Sequence, residues 1–113
     1  MSEDKGLSII QKEVDAWSDR NFPNSGAMDK LLGIVEEVGE LAHAVLKQKQ
    51  GIRGSYEELA EQEVDAIGDV MIYLLDYCSK RNLDLEHIVN KIWAQVSKRD
   101  WQSNPNSGQI AEE

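Results

Sequence analysis

The sequence predicts an all-α protein, a four-helix bundle, and three observations predict it. Apolar residues recur at three- and four-residue steps through four successive segments. Helix-breaking Gly, Pro and Asn cluster outside those segments, at Asn21 to Gly26, Gly51 to Gly54 and Asn104 to Gly108. No stretch shows the two-residue alternation of a half-buried strand.

The first helix is expected to begin near Ser8, which has capping-box spacing with Gln11, and to carry Ile10, Val14 and Trp17 on one stripe. It stops before Asn21-Phe22-Pro23. The second runs from about Ala27 to Gln50, with Leu31, Ile34, Val35, Val38, Leu41, Ala42 and Val45 as the strongest amphipathic signal in the chain. Ser55 and Glu58 form a second capping box, and the third helix, reaching about Lys80, is lined by Ala60, Val64, Ile67, Met71, Leu74, Leu75 and Cys78. Asp84 caps a fourth, whose apolar face is Ile88, Val89, Ile92, Trp93 and Val96.

At 113 residues the chain is read as a single domain over 1–113, with about 1–7 and 104–113 expected to fray. A domain of this size buries roughly two thirds of the surface its unfolded chain exposes, so an oligomer, a homodimer or homotetramer, is expected. The balance of 21 acids against 12 Lys and Arg, a net charge of −9, excludes a general nucleic-acid-binding surface, which needs clustered cations. Cys78 is the only cysteine, so there is no disulfide framework within the chain and no thiolate zinc site. Met1 to Gly6 lacks a signal pattern, and the run from Val70 to Leu75 is too short to span a bilayer. Together these predict a cytoplasmic protein away from the membrane.

The acids carry the chemistry. Each helical residue turns the direction by about 100°, which places Glu36, Glu37 and Glu40 within one arc away from the apolar stripe, together with the small residues Gly33 and Ala44. On the third helix Glu61, Asp65 and Asp69 are four apart and form a ridge. From Ser55 to Asp76 there are seven acids and no Lys or Arg, so no acid can pair with a cation inside that stretch. Most charge runs are solvated faces, but a solvated face normally mixes signs. If the two ridges face each other, carboxylates about 4 Å apart repel by roughly 4 kcal/mol per pair at an effective dielectric of 20, which a bound cation or protonation would relieve. An all-oxygen donor set suits Mg²⁺, with Mn²⁺ as a substitute, better than zinc.

Glu36-Glu37-Val38-Gly39-Glu40-Leu41 followed by Gly68-Asp69-Val70-Met71-Ile72-Tyr73-Leu74 resembles the MazG-like branch of the all-α nucleoside triphosphate pyrophosphohydrolases, over most of the chain. That family's signature is a Glu-Glu-x-x-Glu helix and then a Glu-x-x-Asp helix. The resemblance implies Mg²⁺-dependent hydrolysis of nucleoside triphosphates, dNTPs among them, to the monophosphate and pyrophosphate in a nucleotide-pool housekeeping role. It makes Glu37, Glu40 and Asp69 metal ligands, and it gives Glu36 the role of completing the cluster or acting as general base. The second half departs from the signature: Ala66 stands where the family has Glu. Asp65, one residue away on the same side of the helix, is the expected substitute, and Glu61 is the next.

By the same resemblance Asn90, Lys91, Lys98 and Arg99 are candidates for phosphate contacts, against the alternative that cations near a helix C-terminus complement its dipole. Tyr73 is a candidate for phosphate or sugar, Lys30 for phosphate, and Trp17 and Trp101 for stacking on a base. Trp93 is expected in the core and His87 at the surface. Glu40-Leu41-Ala42-His43 also fits the Glu-x-x-His spacing of di-iron bundles, but such bundles need the motif on two helices and there is one copy. A non-catalytic helical interaction module, probing neither metal nor nucleotide, is the rival of a different class.

Overall fold

In a computed structural model, which describes residues 3–110, the chain forms four helices: α1 (Leu7–Asn21), α2 (Ala27–Gln50), α3 (Tyr56–Lys80) and α4 (Leu85–Val96). There is no strand among the described residues, and no helix is long and apolar enough to cross a membrane. The expectations for residues 1, 2 and 111–113 lie outside the described residues.

Local chemistry sets most of the helix ends. Ser55 accepts from the Glu58 N–H while Glu58 reaches back to the Ser55 N–H, so the expected capping box closes. Asp84 accepts from the His87 N–H as the N-cap of α4. At the start of α2 the N-cap is Gly26, whose N–H donates to Asp29. Gly51 ends α2 in the left-handed conformation with φ 70°, and the 51–54 turn also holds Arg53 at φ 72°. Ser8 is a correction: α1 already starts at Leu7 behind Gly6, and the Ser8 hydroxyl bonds to Asp84 and Glu86 across the fold instead of capping its own helix.

The helices do not close into a bundle within one chain. α2 and α3 form a long antiparallel hairpin, α1 lies against α3, and α4 leans on α1 at one end. The radius of gyration is 18.1 Å, against roughly 13 Å for a compact chain of about this length. A small core of Leu75, Cys78 and Leu85, with Ile10, Met71 and Leu74 packed on it, joins α1, α3 and the first turn of α4. Gln11 ties the same corner, donating to Ser79 and the Leu83 carbonyl and accepting from the Leu85 N–H.

The face that α2 turns to α3 differs from the expected one. Its buried positions are Lys30, Gly33 and Ala44, which belong to the small and acidic side. Leu31, Val35, Val38 and Val45 of the apolar stripe are exposed, as are Val64 and Ile67 on α3. Only the C-terminal half of α3 buries its stripe, at Leu75 and Cys78. Trp93, expected in the core, is 63% exposed, and Val89 and Ile92 beside it on α4 are exposed too.

The segment after α4 is more ordered than its composition predicts. The Asp100 N–H donates to the Gly108 carbonyl, the Gly108 N–H to the Asn104 carbonyl, and the Asn104 N–H to the Asp100 carbonyl. Gly108 has φ 70° and lies against the Trp101 ring, where a side chain would touch it. Residues 104–108 are therefore closed into turns.

Candidate metal centre

The antiparallel pairing of α2 and α3 brings the two acidic ridges together. Glu36, Glu37 and Glu40 from α2 and Gln62, Asp65, Ala66 and Asp69 from α3 line one open groove of about 340 Å³. Ala44 and Ala66 are almost fully buried beside it; their small side chains allow the helices to approach while longer acids rise at the walls. Gly33 continues the seam, with the ring of Tyr73 seated against its Cα.

The electrostatics follow from this pairing. Burial, and then the charges of Asp69, Glu36 and Glu40, push the Glu37 carboxyl above its ordinary value. Burial and the carboxylates of Glu36, Glu37, Asp69 and Asp76 likewise push the Tyr73 phenol up. No Lys or Arg lines the groove, so the repulsion expected from sequence is present. Among the described residues no three acidic, His or Cys side chains converge on one point; the carboxylates face an open groove from two walls. That donor set fits a hard divalent cation, because Mg²⁺ is typically held by one or two protein carboxylates and completes its shell with water and phosphate oxygens. Thiolate is absent from the lining, and the one thiol, Cys78, is buried elsewhere.

All five expected acids, Glu36, Glu37, Glu40, Asp65 and Asp69, line this groove. Glu61 does not; with Ala60, Val64 and Asp65 it lines a neighbouring pocket. Gln62 was missed, although its three- and four-residue spacing from Asp65 and Ala66 places it on the same face. Tyr73 stands next along the seam, as described above.

The other candidates are not brought to the groove. Lys30 is a correction: it is 3% exposed, bonded to Asp76 at 3.1 Å, and its Nζ sits 4.9 Å from the centre of the Phe22 ring, so it is closed off from a phosphate. Trp17 packs edge-on to Phe22, with ring centres 5.7 Å apart, and stays half-exposed. Asn90 donates to the Glu86 carbonyl one turn back on α4. Lys91, Lys98, Arg99 and Trp101 are exposed and none of them lines the groove.

Beyond Tyr73 lies a charge network of which local spacing signals only Asp76 and Lys80, four residues apart on α3, and not the reach to α1. Lys80 donates to Asp15 and Asp19 of α1, at 3.0 Å each, and to Asp76 at 3.2 Å. Burial alone would lower the Lys80 pKa, but the hydrogen bonds it donates to Asp15, Asp19 and Asp76 outweigh it and hold the ammonium above its ordinary value. Close in sequence, Ser18 on α1 is fully buried and its hydroxyl has no hydrogen-bond partner among the described residues.

Compared with known protein families, with curated proteins and with solved structures, the chain matches none.

Proposed function

We propose that this protein is a MazG-like nucleoside triphosphate pyrophosphohydrolase, a Mg²⁺-dependent enzyme that cleaves the bond between the α- and β-phosphates. The observation that carries the reading is the pairing of two unrelieved acidic ridges across one groove, added to the resemblance of Glu36 to Leu41 and Gly68 to Leu74 to the family signature. Glu37, Glu40 and Asp69 are the ligands for Mg²⁺, with Asp65 in place of the acid that Ala66 lacks. Mg²⁺ held by these carboxylates would neutralise the charge that develops on the departing pyrophosphate. This resolves the conflict between a substrate of about four negative charges and a protein of charge −9.

The protein's own part is positioning and proton transfer. Glu36, beside the ligands, accepts a proton from the attacking water as its oxygen bonds to the α-phosphorus. The bond to the β-phosphate oxygen breaks, leaving monophosphate and pyrophosphate. Tyr73, next along the seam from the groove, is the proposed contact for sugar or phosphate. We further propose a homo-oligomer in the cytoplasm. The exposed apolar side chains of α2, α3 and α4, from Leu31 and Val35 to Ile92 and Trp93, support it, since a monomer seldom leaves so much apolar surface in water. In such an assembly Lys98, Arg99 and Trp101 could approach a groove that they do not reach within one chain.

The test is a product-resolved screen of NTPs and dNTPs with Mg²⁺. Monophosphate plus pyrophosphate is the expected outcome. Release of orthophosphate alone would sink the proposal; so would no turnover of any nucleotide, which would favour the non-catalytic interaction module that the same exposed apolar faces would serve.

A further inference from the structure

The ion pair between Lys30 and Asp76 lines neither the groove nor the surface, and its burial asks for a reason. Both residues are 3% exposed, and they meet at 3.1 Å. Removing two charges from water costs about as much as their attraction returns, so a buried pair is a weak source of stability; its best-attested use is to select one register among several.

Few other contacts hold the register of this hairpin near its acids beyond the seating of the Tyr73 ring on Gly33. The acids on its two walls repel, and Ala44 and Ala66 are too small to interlock strongly. A slip of one helical turn moves a side chain by about 5.4 Å along the axis, enough to part Glu37 from Asp69. Lys30 stands two turns from Glu37 along α2, and Asp76 stands two turns from Asp69 along α3, so their pairing sets the offset of the acids directly. The far end is held by Gln48, which donates to Glu63 at 2.9 Å. Asp76 is itself fixed from two sides, Oδ2 on Lys30 and Oδ1 on Lys80.

We infer that Lys30 and Asp76 are positioning residues: their buried ion pair locks the α2/α3 register that keeps Glu37 and Glu40 across one groove from Asp65 and Asp69. The inference rests on the metal-site reading above and adds what holds that site in shape.

Single substitutions would leave a buried charge unpaired, so the test replaces both partners. Mn²⁺ binding is measured by electron paramagnetic resonance on the wild type and on two paired variants, Lys30→Met with Asp76→Leu and Lys30→Gln with Asp76→Asn, alongside circular dichroism and thermal melting. The expected result is a folded paired variant with a Tm near wild type and a Mn²⁺ Kd about tenfold higher, in the range typical for loss of a group that orients metal ligands. A folded paired variant that binds Mn²⁺ like the wild type would overturn the inference. Unfolding of both variants would overturn it too, since the pair would then be a stability element. Failure of the wild type itself to bind Mn²⁺ would remove the metal site, and this inference with it, and so is distinguishable from either.

Discussion

Gly33 of α2 lies directly against the ring of Tyr73 on α3, so closely that any Cβ at position 33 would overlap Cε1, Cδ1 and Cζ of the tyrosine. Gly33→Ala therefore sets two effects against each other. Alanine gains about 1 kcal/mol of helix propensity over glycine, while overpacking a close helix contact costs about 1–3 kcal/mol. With the ring itself in the way, the loss wins, and the variant should melt lower and turn over more slowly. Adding Tyr73→Ala should recover part of the stability, so a double-mutant cycle in denaturant should return a non-zero coupling.

Glu37 predicts how the metal-free protein responds to pH. Its carboxyl is raised by burial and by Asp69, Glu36 and Glu40, so the folded state keeps that proton to higher pH than the unfolded chain does. Stability must then fall as pH climbs above the ordinary value of 4.5. In melts over pH 4 to 7 with chelator, Glu37→Gln should flatten this slope. Added Mg²⁺ should raise the wild-type Tm most at the upper end of the range, where the site is ionised.

Lys80 predicts a dependence of the same sign, displaced into the alkaline range. Its folded-state pKa lies above the ordinary lysine value, so its contribution is complete below about 10.5 and is lost only as pH rises through the higher folded value. Two of its partners, Asp15 and Asp19, are substantially exposed, which limits their worth through screening. Lys80→Met should cost about 1–2 kcal/mol at neutral pH, measured by urea unfolding, and the gap to wild type should close only in strong alkali.

The acids of the groove can be separated by charge-removing substitutions. Glu40→Gln and Asp69→Asn should each abolish turnover while keeping the helical circular dichroism and, by removing repulsion, raising the metal-free Tm. Asp65→Asn should raise the Mg²⁺ concentration needed for half-maximal activity. An unchanged Mg²⁺ dependence would mean that Asp65 does not replace the acid absent at Ala66.

The exposed stripe of α4 bears on assembly. Ile92→Glu with Trp93→Glu places charge on a face whose two residues are 47% and 63% exposed in the single chain, so it costs the monomer little. If that face is covered by a second copy, sedimentation equilibrium should give a lower mass for the variant than for the wild type. Equal masses would mean that assembly uses other surfaces.

What could be read from sequence was what depends on near neighbours. The Ala27 to Gln50 helix, the Ser55 box and the Asp84 cap all rest on residues three or four apart, and each is found as expected. So is the acidic face, because Glu36, Glu37 and Glu40 share an arc whatever they meet. Which side of α2 would meet α3 was not legible: an apolar stripe and a small, acidic stripe both suit a helix contact, and only the pairing of Gly33 with Tyr73 and of Lys30 with Asp76 decides between them. Lys30 looked free because its partner lies 46 residues away. The same holds for Ser8, whose hydroxyl is used by Asp84 and Glu86, and for the 104–108 turns, closed by a backbone bond from Asp100 to Gly108.

The hairpin of α2 and α3 divides the chain by its tolerance of added length. Moving three residues up α2 from Lys30 to Gly33 is matched by three residues down α3 from Asp76 to Tyr73, so the two helices mesh like a pair of toothed racks. One residue inserted between Lys30 and Glu37 would swing every later tooth of α2 by about 100° and turn the carboxylates out of the groove. One inserted between Gly51 and Ser55 would only lengthen the exposed turn where the racks are joined. A tag or a reporter loop belongs in that turn.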